Sequence, residues 1–518
     1  MIKLTVDASV LAKLKLAMPM TDKAERALEK YVDVLERMLD NALLNADDNR
    51  YRFFKHFMIS VHELMLATGQ VRISRKKTYL HKWLEDNNLA LITVVERGLR
   101  NHAVSVVKLT SLVSLTDTTN TKTLASKSAA QLESYLNDKS LGDQDFFERI
   151  HPDFLSLNSK TVRDHYDVCE IDIKSLKQYI FWLVHKANKF NAVQKEKNLR
   201  HAETILRIAQ FTNGLLPQHK NHSHFGRNYY HGLSVQSVHT SLREAMLGKC
   251  VSYDIASSVI SWKMGFAEKC FEASKSVRKF DEEFGASLAY LEDKANFTRY
   301  IKDETFGDDI GGSDEYKTIK IKEALTALSF GARIYQNGWI DQSGNVFSPA
   351  LVEIIKNPIA RSRFINCDLI KQFREEQKTL EGFIYEYFTK MDKALLTYTE
   401  LQTSLGRTSK SKVMAYLYQH AETLVMDVVR KELKKRGIAV LASIHDAIIT
   451  RTKLSAYDKG KIEQRMRDFS GIAYWNLKEE HIKRYVGISE EVKRDELAHK
   501  KLIAEQTRLA QGYQRKHF

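Results

Sequence analysis

The sequence predicts an α+β protein, mostly α with a small antiparallel β component, and three observations predict it. Only five prolines occur in 518 residues, and none follows Pro358, which favours long uninterrupted helices in the C-terminal part. Stretches such as 24–44 and 409–436 repeat apolar residues at helical spacing. Two β-prone segments interrupt this pattern. One is the run Cys-Val-Ser-Tyr-Asp-Ile at 250–255. The other spans 438–452, where two apolar arms flank His445-Asp446 and read as a strand, tight turn and strand.

The hydrophobic share of 43% and charged share of 28% are those of an ordinary globular protein. A net charge of +15 suggests a polyanionic partner such as nucleic acid, although a solvated basic face would give the same number. Cys169, Cys250, Cys270 and Cys367 are scattered and form no Cys-x-x-Cys pair. That spacing supports neither a disulfide framework nor a zinc site and fits a reducing compartment. The opening Met-Ile-Lys-Leu-Thr-Val-Asp lacks a signal-peptide pattern, and no apolar run reaches membrane-spanning length. The expectation is a cytoplasmic protein with no membrane partner.

Taken in order, residues 1 to about 110 read as helices, with Asp22 capping the first long one and a basic run at 72–77 preceding another. A Thr/Ser/Lys-rich stretch at 110–128 reads as a loop. Residues 170–212 read as one or two helices carrying Lys174, Lys177, Lys186, Lys189, Lys195, Lys197, Arg200 and Arg207, interleaved with Tyr179, Phe181, Trp182 and Phe190. Taken alone, an amphipathic helix with core aromatics and solvated lysines explains this stretch better than a nucleic-acid face. Four histidines (His219, His222, His224 and His231) follow, but no acid or cysteine completes a metal-ligand spacing. A loop that contacts nucleic acid through Arg227 and its tyrosines fits that stretch better.

Asp254 ends the first β-prone run, ahead of the small residues Ala256, Ser257 and Ser258. A carboxylate there must be solvated, paired or bound to a cation, because burying it alone is expensive. Taken alone, a strand-end Asp capping the next helix explains it adequately. Downstream, Lys317, Lys320 and Lys322 cluster at the start of a helix that runs to Phe330-Gly331. Cations early in a helix oppose its dipole, so they either face an anion or form a solvated basic turn. Asp446 sits at the hairpin turn, where Asp is common for conformational reasons alone.

Asp254 after a strand, Lys322-Glu-Ala-Leu-Thr-Ala-Leu-Ser-Phe-Gly on a helix, and His445-Asp446 in a hairpin occur in that order. This order resembles motifs A, B and C of the family A polymerase superfamily, which comprises the family A DNA polymerases and the phage-type single-subunit RNA polymerases. The lysine-led segment matches the motif B pattern Lys-x7-(Tyr/Phe)-Gly. The helix before the hairpin, with Gln419 early in it, resembles the one preceding motif C. Gly226-Arg227-x-Tyr229 and Arg243-Glu-Ala-Met resemble template-side elements.

The resemblance covers about residues 213–460 and implies a right-hand architecture of palm, fingers and thumb. The palm would be 213–268 and 413–518, the fingers 269–412, and a thumb-like element 170–212, after a helical N-terminal region, 1–169, that carries no readable motif. It implies a template-directed nucleotidyltransferase using two Mg²⁺ ions held by Asp254, Asp446 and the carbonyl of Ile255. Such hard cations take carboxylate oxygens from separate strands. Lys322 would act catalytically on the triphosphate, with Lys320 and Lys317 as further candidates. Phe330, Val259 and Ser258 would meet the nucleotide, and Arg227, Tyr229, Gln419 and His445 the template. The implied partners are a DNA template, the nucleic-acid product, nucleoside triphosphates, and an accessory protein for promoter or origin recognition. No acidic constellation for a proofreading exonuclease is present.

The product follows from departures within these motifs. Family A DNA polymerases usually carry glutamate five residues after the motif A aspartate, where this chain has Val259, and His-Asp-Glu in motif C, where it has His445-Asp446-Ala447. Both departures, with Ser258, resemble the RNA polymerases. Phe330 stands where phage-type RNA polymerases carry tyrosine, and the spacing of the three motifs is as compact as in the DNA polymerases. The reading is a compact phage-type RNA polymerase of phage or plasmid kind. A DNA polymerase of the same family is the alternative, and a non-catalytic replication protein is an alternative of another class.

Overall fold

The computed structural model describes residues 2–18, 20–45, 55–74, 76–97, 104–117, 124–152, 154–188, 190–222, 227–274, 279–340, 346–403 and 406–514. Lys189, His224, Gly226, the 118–123 part of the Thr/Ser/Lys-rich stretch, and the side chains of His222 and Cys270 lie outside the described residues. Helices dominate, and the paired strands form small antiparallel sheets. The chain forms two compact units, one from Met1–Asn221, Tyr229–Lys249 and Ile482–Phe518, the other from His222–Asn228 and Cys250–His481.

The first unit departs from the all-helical N-terminal region that the sequence suggests. Ile2–Val6 pairs with Val113–Asp117. His56–Ile59, Ser105–Leu109 and Ile92–Glu96 make a three-stranded sheet. The basic run at 72–77 is a hairpin that sets Arg72 opposite Lys77. These strands are four or five residues long, and apolar runs that short have no period that separates strand from helix. Their pairing partners lie far off in sequence, so tertiary contact decides. The helix Thr21–Asn45 supplies Tyr31, Leu35 and Leu39 to a core shared with Phe57, Leu64, Leu84 and Val107.

Residues 170–212 form two helices, Ile173–His185 and Ala192–Phe211. Tyr179 and Phe181 are core residues and Arg200 is buried. Lys186 pairs with Glu491 and Asp495, Arg207 bonds the Leu141 carbonyl and Asp143, and Lys195 bonds the Val184 carbonyl. Much of the basic face is thus turned to partners within its own unit.

The second unit is organised around the strand Cys250–Ile255, which lies between Ala447–Thr450 and Leu477–Ile482, with Val440–Ile444 on the outer edge. Val251, Tyr253 and Ile255 point into a core with Trp262, Val425, Ile448, Met466 and Trp475. Ser252 and Asp254 alternate onto the other face and are only partly covered, as a period of two requires. The following helix, Ser258–Ser274, serves two cores. Val259 and Trp262 face the sheet core, while Ile260, Met264 and Ala267 enter a helical core with Phe297, Ile321, Leu325, Phe364 and Phe373.

A buried cation ties the helical part together. Lys263, 2% exposed, donates to the Ser329 carbonyl at 2.6 Å and to Glu381 Oε1 at 2.8 Å. It thereby neutralises the carbonyl end of the helix Asp314–Ser329 and links it to the helix Asp368–Met391. Gly331, at φ +79°, turns the chain over Glu381, whose Oε1 would be 3.1 Å from an added Cβ. Truncating one partner of such a pair leaves the other charge uncompensated. Lys263→Met should therefore destabilise this unit by about 3–5 kcal/mol, read as a lower urea midpoint. A variant that unfolds with wild type would show that the pair does not hold the helix.

Candidate active site

Two aspartates meet because a strand end and a hairpin turn are stitched together. Val440–Ile444 and Ala447–Thr450 pair so that Ile444 opposes Ala447, leaving a two-residue turn of His445 and Asp446. His445 takes φ +52°, as a tight hairpin turn demands of its first residue, at a cost of about 1 kcal/mol for a non-glycine residue. Asp254 lies opposite Ala447 in the neighbouring pairing, and the Ile255 N–H donates to the Asp446 carbonyl at 3.2 Å. The turn is thus pinned to the end of the Asp254 strand. Ser257, just beyond it, is also left-handed, at φ +49°.

Asp254 and Asp446 line one cleft of about 340 Å³ with Ile255, Ser258, Val259, Phe330, Arg227 and His445. Those eight were all singled out from the sequence. Burial pushes the Asp254 carboxyl up to about 7, the charge of Asp446 adds to this, and Lys478 opposes it. Phe330 is 52% exposed and packs edge-on against Tyr418, with ring centres 5.7 Å apart. Val259 packs into the sheet core and shows only its edge to the cleft.

A second layer fixes the first. Ser258 Oγ lies 2.7 Å from Tyr418 Oη and donates to Asp446 Oδ2 at 3.0 Å. Glu422, fully buried, accepts two bonds from Arg227, at 2.8 and 2.5 Å. Burial raises the Glu422 carboxyl, with Arg227 opposing. Burial also holds the Tyr418 hydroxyl well above its ordinary range, so it stays a donor.

The lysines and two template candidates fall elsewhere. Lys320 bonds Glu323 at 2.7 Å, and Lys317 donates to the Gly307 carbonyl at 3.3 Å, so both are engaged outside the cleft. Lys322 is exposed one helical turn from Thr326, which lines the cleft. Gln419 neighbours Tyr418, but its buried Oε1 meets no hydrogen-bond donor among the described residues. Tyr229 belongs to the other unit.

The cation in the cleft besides Arg227 is Lys294, which sequence reading passed over. It donates to Ser257 Oγ at 3.2 Å and lies over the Tyr290 ring. Tyr418 and Glu422 were passed over as well. The signal for Glu422 was a carboxylate on the stripe formed by Met414, Tyr418, Val425 and Val429, all buried.

Among the described residues no group of three or more His, Cys, Asp and Glu comes together to hold a metal. What the cleft has is a pair of mutually repelling carboxylates. Two carboxylates from separate elements suit a hard divalent cation that keeps waters and phosphate oxygens in its other positions.

No family model matches the chain, and no curated protein matches it. Among solved structures, the POL domain of Pol1 from M. smegmatis, in complex with DNA primer-template and dNTP, is similar over 93% of this chain and 67% of that one. Identity is 11% and the TM-score 0.35. A likeness at that level carries no functional inference, and the chain's own geometry has to supply it.

The raised Asp254 carboxyl sets the sign of a pH dependence. In the unfolded chain the group ionises near about pH 4, whereas in the fold it keeps its proton to about pH 7. Folding of the metal-free chain takes up a proton between those values, so stability falls as pH rises through that window and is level above it. In EDTA at about pH 8, Asp254→Asn should be more stable than wild type by about 1–3 kcal/mol, with the gap closing below about pH 4. Calorimetry across pH checks this, and a gap independent of pH would locate the strain elsewhere.

Proposed function

We propose that this chain is a template-directed nucleotidyltransferase that uses Asp254 and Asp446 to hold two Mg²⁺ ions. The observation that carries the reading is the meeting of these two acids, distant in sequence, at stitched strand ends in one cleft with Phe330 and Arg227. A non-catalytic binding protein has no use for a repelling acid pair held by a strained turn.

In the reaction, a 3′-hydroxyl oxygen bonds to the α-phosphorus of a nucleoside triphosphate. The α–β bridging P–O bond breaks, pyrophosphate leaves, and the hydroxyl proton passes to solvent. When bound, the two ions lower the pKa of that hydroxyl and carry the charge of the leaving pyrophosphate. Asp254 and Asp446 would hold the ions, with the Ile255 carbonyl available as a further ligand. Ser258 fixes the orientation of Asp446 through its hydrogen bond. Lys322, one turn from the cleft wall, meets the triphosphate, with Lys320 and Lys317 available once freed from their own partners. The exposed ring of Phe330 stacks on the incoming base, and His445 and Arg227 border the template.

In hand terms we assign 213–268 and 413–518 to the palm, 269–412 to the fingers and 170–212 to a thumb-like element, with 213–221, 229–249 and 482–518 of that palm belonging to the first compact unit. The product we propose is RNA made on a DNA template, as in a compact phage-type single-subunit RNA polymerase. Val259, an apolar residue at the edge of the cleft, leaves room for a 2′-hydroxyl where a glutamate would exclude it. A family A DNA polymerase is the second reading, favoured by the absence of a hydroxyl on Phe330. An accessory protein for promoter or origin recognition belongs to the first reading.

Asp254→Asn and Asp446→Asn should each lower Mg²⁺-dependent incorporation by about 10³-fold or more while template binding persists. Activity retained in either variant would sink the two-ion reading. Extension and de novo synthesis with separate rNTP and dNTP pools decide the product: rNTP use is expected, and exclusive dNTP use would overturn the RNA assignment. Val259→Glu should then depress ribonucleotide use selectively, and no change would show that Val259 is not under the sugar.

A further inference from the structure

Just past Gly331 the chain builds a second, different surface. Trp339–Ile340 pairs antiparallel with Val346–Phe347. Trp339 and Phe347 are each 44% exposed and stack on one another, with ring centres 5.5 Å apart and planes 11° apart. Tyr335 adds a third ring, 5.0 Å from Trp339. Tyr335 also lines a cavity of about 330 Å³ with Arg333, Arg374 and Lys378. The acid in that lining, Glu381, is already paired with Lys263. Glu375 stands 3.9 Å from Arg374 and 3.6 Å from Lys378 on the exposed side, a pairing that salt and a stronger anion displace.

The segment that leads into this surface is tied to the fold by hydrogen bonds. Buried Arg361 donates to the Gln336 carbonyl at 2.5 Å and to the Ile355 carbonyl at 2.6 Å, and Gln336 Nε2 donates to the Pro358 carbonyl at 2.9 Å. Gly338 is required by close approach, since a Cβ there would lie 2.6 Å from the Phe347 carbonyl oxygen. Solvated aromatics held in place next to a cationic cavity are costly unless something covers them.

We propose that Trp339, Phe347 and Tyr335, with Arg333, Arg374 and Lys378, form a binding platform for single-stranded nucleic acid, separate from the Asp254 cleft. Bases stack on rings irrespective of sequence, and guanidinium and ammonium groups track the phosphates. The three cations, and a chain with net charge +15, favour a polyanion over an apolar protein segment. A duplex, with its bases already stacked, has nothing to offer the rings. The platform does not depend on the catalytic reading of the cleft, and the two can fail independently.

The test uses the full chain and a short fluorescein-labelled single-stranded oligonucleotide, with the corresponding duplex as comparison and Asp254→Asn as a control for the cleft. Trp339→Ala should weaken single-strand binding about tenfold, leave duplex binding unchanged, and abolish the tryptophan quenching that single strand causes in wild type. Trp339→Phe should keep most of the affinity. Arg333→Ala with Arg374→Ala should reduce the salt dependence of single-strand binding. Asp254→Asn should bind the oligonucleotide as wild type does, whatever its activity. Unchanged single-strand affinity in Trp339→Ala, an equal loss for duplex, or a loss in Trp339→Phe as large as in alanine would overturn the platform. Unchanged affinity would leave the rings to a protein partner.

Discussion

The constraint on which the second unit depends is the forced proximity of two like charges. Asp254 and Asp446 reach the same cleft because the Ile255 N–H is bonded to the Asp446 carbonyl and Asp254 opposes Ala447 in register. Backbone hydrogen bonds hold together what side-chain electrostatics push apart. Burial and the neighbouring charge raise the Asp254 carboxyl far above the usual range, and a perturbed acid in a cleft marks a candidate functional site. The left-handed backbone at His445 and Ser257 flanks the same two acids, so local strain and electrostatic strain coincide.

Around this pair the structure invests in rigidity. Ser258 links Asp446 to Tyr418, and Tyr418 touches Phe330 and lies beneath Arg227. Glu422 fixes Arg227 in turn with a two-pronged bond, the geometry at which guanidinium and carboxylate match best. On the far side, Lys263 and Glu381 anchor the end of the helix that carries Phe330. These walls of the cleft are therefore held by buried and part-buried polar contacts set beside the hydrophobic cores. A change in any of them would displace a side chain at the acids, and displacement would be expensive for the proposed reaction, which consists largely of positioning and charge neutralisation.

What the sequence determined by itself was local. The alternation of Val251, Tyr253 and Ile255 against Ser252 and Asp254 specifies a half-covered strand, two apolar arms around His445-Asp446 specify a hairpin, and Gly331 and Gly437 specify where helices end. Those signals alone did not group the residues; the resemblance to polymerase motifs implied that Asp254, Asp446, Phe330, Val259 and Arg227 belong together, and they line one cleft. The tertiary structure decided everything that depends on which distant segment arrives. Four- and five-residue strands in the N-terminal region resembled helix fragments until their partners were known. The lysines of the helix at 314–329 resembled a phosphate grip, yet Lys317 and Lys320 are occupied by Gly307 and Glu323. Lys294 and Tyr418 carried no motif and entered the cleft only through packing, and Glu422 stands behind it on Arg227. The physical reason is that backbone preference is a property of neighbours in sequence. The partner of a charge and the burial of an acid are properties of neighbours in space.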